Sequence, residues 1–556
     1  MKTSGSTPSK DARERSPWSP LRQSVFRVLW FATIASNIGT WMQNVGASWL
    51  MTTLSPSPLI IAMVQAATSL PVFLLALRAG ALADIVDRRA LILITQVWML
   101  AAAAALSAAT YAGAMSPALL LLLTFLLGVG SAMSGPAWQA MITDLVAPQE
   151  VSAAVALNSV AFNLARAVGP AFAGIILAHA GAGAVFLLNA VSFIGVFIVL
   201  FRWKSAPKES ILPAERLMGA IRAGVRYVRY SPPLHAVLMW TSAFILFGSA
   251  IWALLPLVVR DEMRLGPSAY GQLLSALGAG ALIGAAMLPK FNRMASVDGL
   301  ITGASGVFAT VTIGSGLVRN RILMVALMLL GGAAWMIVLS SLNVAARMVV
   351  PAWVQARSLA IYLLVFQGGT AMGLAWGAVA GRWGIRSTLV AAGVGLIAGA
   401  GYHARFPLPR GDSLDLRPAA DWPEPNISGE LDIEKGPTFV TVEYRIDPLN
   451  AEEFVRTMAD MRRVRRRDGA MQWELFVDAT DPGRFPEEFV VESWLEHLRQ
   501  HERVTLSDRQ LQEHIRLLHT APEAPHITHY ISASRSVRPS DALRPAPCDP
   551  PEGTKE

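Results

Sequence analysis

Charged residues and cysteine are both scarce in this sequence. Asp, Glu, Lys and Arg make up 15% of its 556 residues, against about a quarter in soluble globular proteins. The single cysteine, Cys548, lies in a Pro-rich tail, which excludes an internal disulfide framework and a zinc site built from cysteines. A chain this long with so few charges is expected to be an integral membrane protein.

The charges that are present divide the chain into two parts. Residues 1–410 contain 29 Lys and Arg against 11 Asp and Glu, whereas residues 411–556 contain 18 against 28. The basic residues of the first part flank apolar runs and form no patch typical of a nucleic-acid-binding surface. We therefore expect a basic membrane part and an acidic soluble part, with no nucleic acid as partner.

Long apolar runs fill the basic part. Residues 28–77, 90–143 and 151–201 are each long enough for two membrane-spanning helices of about 20 residues. Six single lengths follow, at 234–259, 266–289, 298–318, 322–346, 358–381 and 387–404. The pattern predicts twelve transmembrane helices, arranged as six, a basic connector and six more.

The predicted fold class is an all-α membrane protein with twelve transmembrane helices in two six-helix pseudo-repeats, followed by a C-terminal α+β ferredoxin-like domain. Lys and Arg concentrate in alternate loops, which predicts that both termini are cytoplasmic. The predicted segments are an N-terminal tail (1–22), a first bundle (23–201), a connector (202–233), a second bundle (234–404), a linker (405–436), a soluble domain (437–533) and a disordered tail (534–556).

The two bundles resemble each other at an offset of 203 residues. Gly128, Pro148 and Gly174 fall on Gly331, Pro351 and Gly377. Parallel six-helix repeats are typical of transporters whose substrate site lies between the halves.

Residues 80–89, at the predicted cytoplasmic end of the second helix, carry a recognisable motif. Gly80 is followed by Asp84 and by the basic pair Arg88 and Arg89, and this resembles the signature loop of the major facilitator superfamily. In that superfamily the loop latches the two halves when the cavity faces outward. The resemblance therefore implies a latch role for these four residues.

A second motif lies in the fifth helix. Gly169, Pro170 and Gly174 are similar to the glycine–proline motif of exporter branches of the superfamily. Together with the C-terminal extension, they resemble bacterial secretion transporters that include enterobactin exporters. The resemblance implies a bacterial inner-membrane exporter with proton antiport. However, Thr124 stands where proton-coupled relatives carry an arginine in the fourth helix, so the usual proton-coupling arrangement is in doubt.

Charged and polar residues of the spans supply the candidate site. Asp144 and Arg347 occupy equivalent positions of the two repeats, which predicts an inner gate that closes by ion pairing; two solvated loop charges are the alternative. Arg166 lies well inside a span, where a lone cation is expected to face a cavity. Further predicted lining residues are Asn37, Asn44, Asn158, Asn163, Trp41, Trp240, Trp252, Trp335, Tyr362 and Gln367.

No Asp or Glu lies in the middle of a predicted span. An arginine with amides suits a neutral or anionic, hydrogen-bonding solute better than a cationic drug. The alternative reading is that these polar side chains form packing hydrogen bonds between helices.

The acidic part predicts an alternating order of strands and helices. Strands are expected at 438–446, 471–477, 488–494 and 527–531, and helices at 450–467 and 496–519, which is the ferredoxin-like order. Residues 492–501 resemble the antibiotic-biosynthesis monooxygenase type of domain, which implies a homodimer. His497 and His501 are one helical turn apart, and we expect them on a solvated helix face and not at a metal.

The sequence therefore predicts a transporter and no enzyme, without catalytic residues, metal or cofactor. Its expected partners are a small-molecule substrate, the lipid bilayer and a second copy of the chain. The expected cargo is a small amphiphilic secondary metabolite, siderophore or drug, moved outward by alternating access. Uptake and a membrane-tethered monooxygenase are the alternatives.

Overall fold

A computed structural model describes residues 18–203, 217–403, 407, 408, 415–417, 419 and 436–532. The chain divides into two compact units. The helical unit comprises the described residues of Met1–Met218, Ala236–Met348 and Leu359–Pro409. The C-terminal unit comprises those of Gly219–His235, Val349–Ser358 and Arg410–Glu556.

Five helices make up the first half of the helical unit. They are α1 (Ser24–Leu54), α2 (Pro58–Ile85), α3 (Arg88–Tyr111), α4 (Pro117–Leu145) and α5 (Val151–Arg202). Proline begins α2 and α4, where its missing N–H is no loss because the first turn has no partner for it. Gly181 adopts φ 77° inside α5, which suits glycine because it has no Cβ. The 52-residue helix therefore kinks where the sequence predicts a break between two spans.

Eight helices follow the first half. They are α6 (Leu217–Arg229), α7 (Pro232–Leu257), α8 (Pro267–Met294), α9 (Val297–Leu317), α10 (Arg321–Met348), α11 (Gln355–Ala371), α12 (Gly373–Trp383) and α13 (Ile385–His403). A π-helical turn, Val258–Glu262, extends α7. By length and composition alone, nine helices within the described ranges are apolar and long enough to cross a membrane. The chain is thus a multi-pass membrane protein.

Helices within each half pack through small residues. In the first half α1 lies along α5 and α2 along α4, and in the second half α8 lies along α10. A Cβ added at Gly284 of α8 would stand 2.6 Å from the backbone oxygen of Ala333 in α10. Lipid supplies no hydrophobic drive for helix association, so close backbone approach of this kind contributes much of the packing energy.

The C-terminal unit contains a four-stranded antiparallel sheet. Its strands are β1 (Thr438–Arg445), β2 (Gln472–Leu475), β3 (Arg484–Val491) and β4 (His526–Ile531), in the order β2-β3-β1-β4. The helices are α14 (Ala451–Asp468), α15 (Trp494–Arg503) and α16 (Leu506–Leu517). Alternate residues of β1 and β3 face Phe454, Met458 and Ile515 of the helices and form the core.

Residues 496–519 form two helices where the sequence predicts one. Val504 is extended. The Thr505 side chain accepts a hydrogen bond from the backbone N–H of Asp508, and the Asp508 carboxylate accepts one from the backbone N–H of Thr505. This capping box starts a new helix, and the apolar spacing on which the prediction rested does not reveal it.

Replacing Gly284 by valine should destabilise the helical unit, because the new side chain meets backbone that cannot move aside. We expect a loss of about 1–3 kcal/mol, measured as a lower thermal midpoint of the full chain in lipid nanodiscs. Gly306→Val in α9 is the matched control, since nothing lies within 4 Å of a Cβ there among the described residues. Equal losses for the two variants would contradict the packing described for α8 and α10.

Candidate functional site

The Arg166 side chain lies between two tryptophans from opposite halves of the helical unit. Its Cζ atom is 5.8 Å from the ring centroid of Trp41 in α1 and 5.7 Å from that of Trp252 in α7. A guanidinium within about 6 Å of an aromatic ring is attracted by the ring's quadrupole. Arg166 therefore contacts both halves at once.

Among the described residues, Arg166 has no polar partner. Its Nε atom is buried without a hydrogen bond, and within the described ranges its guanidinium forms no ion pair. The Nε1 atom of Trp252 is also buried without an acceptor. Buried donors normally have acceptors, and a buried cation normally has a counter-charge. The site therefore presents two unsatisfied donors and suits an anionic or acceptor-rich ligand.

Glycines of α5 hold Arg166 in this position. A Cβ on Gly169 would stand 2.7 Å from the Cβ of Trp41, so α5 lies close against α1. On the other side, a Cβ on Gly278 of α8 would stand 2.8 Å from the backbone oxygen of Arg166. A Cβ on Gly174 would stand 3.0 Å from the Cα of Gly271 in α8. The backbone oxygen of Pro170 also lies close to Gly271. The glycine–proline motif thus packs α5 against both halves.

The two halves meet at the end of the unit that carries the α1–α2 turn. There Trp49 stacks on Tyr270 with ring centroids 5.9 Å apart, and the guanidinium of Arg260 donates to the Thr52 oxygen at the end of α1. A Cβ on Gly377 of α12 would stand 2.7 Å from the Pro58 oxygen of α2. These contacts close that end between the halves.

The predicted latch and gate residues lie towards the opposite end. Among the described residues nothing lies within 4 Å of a Cβ placed at Gly80. The Nε and Nη2 atoms of Arg89 donate to the oxygens of Leu200 and Phe201, each at 2.8 Å, so Arg89 caps α5 within its own half. Arg88 begins α3.

The structure describes one side chain of the predicted gate pair, that of Arg347. Arg347 donates from Nε to the Asn343 side chain at 3.0 Å, one turn earlier in α10. The side chains of Asp84 and Asp144 lie outside the described residues.

The predicted aromatic lining divides into two groups. Trp335 packs against Trp252, with ring centroids 5.6 Å apart. It therefore helps to fix the position of the Trp252 ring that contacts Arg166. Trp240 is buried beside Ser305 within the second half. Tyr362 is buried and hydrogen-bonded to Thr241.

The predicted amides occupy several different places. Asn163 donates to the Ser159 oxygen of its own helix at 2.9 Å. Asn158 lies beside Trp30 and Trp138 inside the first half. Asn37, Asn44 and Gln367 are partly buried.

Comparison with known proteins identifies the family. The family model described as "Transmembrane secretion effector" matches residues 15–537. The chain belongs to this family of the major facilitator superfamily. Since the family and its relatives are transporters, the predictions of a transporter and of no enzyme are confirmed.

Relatives with assigned roles are distant. The staphyloferrin A transporter of Staphylococcus aureus is 26% identical over 282 residues, which cover 50% of this chain and 70% of that protein. The multidrug efflux pump Tap of Mycolicibacterium fortuitum is 25% identical over 279 residues, covering 48% of this chain and 67% of that protein.

Solved structures share the transporter's fold. A bacterial homologue of the human lysosomal transporter Spinster, in an inward-facing unoccupied conformation, has a TM-score of 0.55 at 14% identity and covers 69% of this chain and 96% of its own. A bacterial homologue of the iron transporter ferroportin has a TM-score of 0.52 at 16% identity, covering 68% and 98%. At these identities the likeness shows the fold alone.

Three histidines lie together in the C-terminal unit: His497 is buried, and His501 and His529 are partly buried. His497 is 3% exposed, which contradicts the predicted solvated face. Its Nε2 atom lies 3.1 Å from Nε2 of His501, and its ring centroid lies 4.8 Å from that of His529 on β4. Within the described ranges no group of three His, Cys, Asp or Glu is arranged to hold a metal ion.

Burial keeps these histidines neutral. Removal from water, with the neighbouring histidine charges, lowers the pKa of His497 to about 3; burial lowers the pKa of His501 to about 4. Unfolded histidines titrate near 6.5. Between these pH values the unfolded chain binds protons that the folded domain does not, so acidification favours unfolding.

Acidification from pH 6.5 towards pH 4 should therefore destabilise the C-terminal sheet by at most about 1.4 kcal/mol per pH unit for each histidine. The measurement is hydrogen exchange of β1 and β3 in the full chain, corrected for intrinsic rates. His497→Gln should make the stability of the sheet less dependent on pH. His526→Gln, at an exposed position, should leave this pH dependence unchanged. An unchanged slope in the His497 variant would refute the linkage.

Proposed function

We propose that the transporter exports a small amphiphilic anion across the bacterial inner membrane by alternating access. We further propose twelve spans in two six-helix halves, both termini in the cytoplasm, and a ferredoxin-like fold for the C-terminal domain. The observation that carries the functional proposal is the Arg166 guanidinium between Trp41 and Trp252, which has no counter-ion within the part of the chain that the structure describes.

The chemistry of the site favours an anion with apolar surface. A guanidinium binds a carboxylate or phosphate through two parallel hydrogen bonds, and this pairing strengthens in a dry site. The faces of the two tryptophans add contact area for an apolar body. Within the described spans the acidic residues lie near helix ends, at Asp87, Glu150, Asp261, Glu262 and Asp298. A cationic drug would therefore find no carboxylate in the middle of the described spans.

The closed end suggests the direction of loading. With the proposed orientation, the α1–α2 turn faces outward, so the contacts of Arg260 with Thr52 and of Trp49 with Tyr270 close the outer side. Substrate then enters from the cytoplasm and leaves after the halves rock apart at these contacts. Asp84, Arg88, Arg89 and the pair Asp144 and Arg347 remain the proposed inner latch and gate. Proton antiport remains the proposed energy source.

The names of two relatives agree with this cargo class. One is a siderophore transporter, that for staphyloferrin A, and another is a multidrug efflux pump. Both siderophores and drugs fall within the small amphiphilic molecules that the site suits.

Arg166→Gln should lower the efficiency of export by at least about tenfold, since a lost charge-assisted hydrogen bond costs about 1.5–3 kcal/mol. Arg166→Lys keeps the charge but not the planar fork, so we expect an intermediate loss. Each variant is expressed in a deletion strain, and compounds retained in cells and released to the medium are compared by metabolite profiling.

Arg382→Gln, an exposed arginine of α12, is the matched control and should export normally. Retention of a cationic compound would contradict the anionic cargo. Depletion of the compound from deletion cells would indicate uptake instead of export.

We also propose that the C-terminal domain forms a homodimer through the free face of its sheet. Phe439 pairs with Tyr530 across β1 and β4, their rings lie 5.8 Å apart, and both point away from the core that Val440 lines. Tyr530 is 53% exposed, and exposed aromatics are enriched at interfaces.

Phe439→Glu should weaken the dimer by at least about tenfold, because it buries an unpaired charge in the proposed contact. Mass photometry of the full chain in detergent measures the dimer fraction. Val455→Glu introduces the same charge at a 47% exposed position of α14 and should leave the dimer intact. A monomeric wild-type chain would refute the proposal.

A further inference from the structure

Two segments that join membrane helices belong to the C-terminal unit. One is Gly219–His235, which contains most of α6 and runs directly into α7. The other is Val349–Ser358, which joins α10 to α11. Both pack on the sheet-containing C-terminal domain. The sequence predicts only a connector and a loop at these places.

A largely buried charge cluster of Arg226, Glu496 and Arg503 joins α6 to the domain. Arg226 of α6 donates from Nη2 to Oε1 of Glu496 in α15 at 2.8 Å, and from Nε to the Arg467 oxygen at 3.3 Å. Arg503 donates to the same Glu496 oxygen at 2.7 Å. The side chains of Arg226, Glu496 and Arg503 are 21%, 13% and 6% exposed.

The cluster stays charged at neutral pH. Burial raises the pKa of Glu496, but the hydrogen bonds and charges of Arg503 and Arg226 outweigh burial and leave this pKa below its ordinary value. Without Arg226, Glu496 keeps Arg503 but loses its charged hydrogen bond to α6, and loss of such a bond at a largely buried site weakens the contact markedly. This distinguishes the cluster from exposed ion pairs, which contribute little.

Aromatic contacts fasten the second segment to the same residues. Arg503 lies over Trp353 with its Cζ atom 4.5 Å from the ring centroid. The Tyr227 ring of α6 contacts Trp353 at 5.9 Å, and its hydroxyl donates to the Val349 oxygen at 3.0 Å. Arg467 lies over Tyr227 at 5.7 Å. The domain, α6 and the segment 349–358 are therefore joined by one continuous set of contacts.

We propose that the C-terminal domain is a brace of the transport machinery, which ties α6 to the segment 349–358 so that the chain entering α7 and the chain leaving α10 move as one body. α7 carries Trp252 and α10 carries Trp335, and these two aromatics form one side of the Arg166 site. Through the continuity of these helices, the brace couples the domain to the part of the transporter that changes state. This inference rests on the chain being a transporter and not on the direction of transport or the cargo.

The test measures local stability and conformational state in the full chain without any substrate. The protein is reconstituted in lipid nanodiscs in a Cys548→Ser background. Hydrogen exchange reports on α6 and 349–358. Spin labels at Ser57→Cys and Gly381→Cys, which flank the closed end in the two halves, report on the population of that closed state.

Arg226→Ala should raise hydrogen exchange in α6 and 349–358 by about tenfold, the factor expected for a lost charge-assisted hydrogen bond. It should also change the population of the closed state, in which the two spin labels are close together, by about twofold or more. Exchange of β1 and β3 should stay unchanged, which shows that the domain remains folded. Arg222→Ala, an exposed arginine one turn earlier in α6, is the matched control and should change neither readout.

Two outcomes overturn the brace. Unchanged exchange in α6 means that the contact does not hold in solution. Raised exchange with an unchanged label distance means that the domain docks without influencing transport. Trp353→Ala provides a second variant with the same expectations, since it removes the contact of Arg503 from the other segment. Because no cargo is used, a negative result for Arg166 leaves this test intact, and the reverse is also true.

Discussion

The charge of Arg166, which has no counter-ion in the described ranges, is the constraint on which the helical unit depends. A guanidinium without a counter-ion is expensive wherever water is scarce, because the Coulomb energy that would offset its desolvation is missing. Two tryptophan faces offset part of this cost, but cation–π contacts are weaker than an ion pair. The proposed anion would complete the site at low cost, since the fold already orients the arginine between the two rings and buries its Nε atom without an acceptor. This is why the proposed cargo follows from the arginine and not from cavity shape.

Other arginines of the helical unit show the contrast. Arg319 and Arg386 both bind Glu262, at 2.5 and 2.9 Å, and thus tie helix ends of the second half together. Acidic residues are available at the helix ends, yet none of those that the structure describes pairs with Arg166. The close approach of α5 to α1 and α8 through glycines leaves no room beside the Arg166 backbone for a longer side chain. The same small residues therefore fix the position of the cation and keep counter-charges away from it.

The membrane-spanning pattern and Arg166 could be predicted from the sequence, whereas the packing of individual tryptophans and histidines could not. Hydropathy and charge placement identify a multi-pass membrane protein, because lipid imposes those patterns directly. Arg166 is conspicuous because it interrupts an apolar run. Trp41, Trp240, Trp252 and Trp335, in contrast, look alike in sequence, and only packing separates the pair that contacts Arg166 from a buried core residue such as Trp240. His497 shows the same limit, since helical spacing does not say which face is covered.

The arginines of the connector helix α6 have two different roles that amino-acid composition does not distinguish. Its arginines suit the topology rule for cytoplasmic loops, and that explanation accounts for exposed Arg222 without further structure. Arg226 lies one turn further on, on the buried face of α6. Its guanidinium pairs with Glu496, which lies 270 residues further along the chain. A flexible tether would need no such contact, and a solvated domain would not give up the hydration of Glu496 and Arg503 to make it. The largely buried cluster therefore holds α6 in a fixed position on the domain. Under the proposed brace this position matters because the helix that follows α6 carries Trp252.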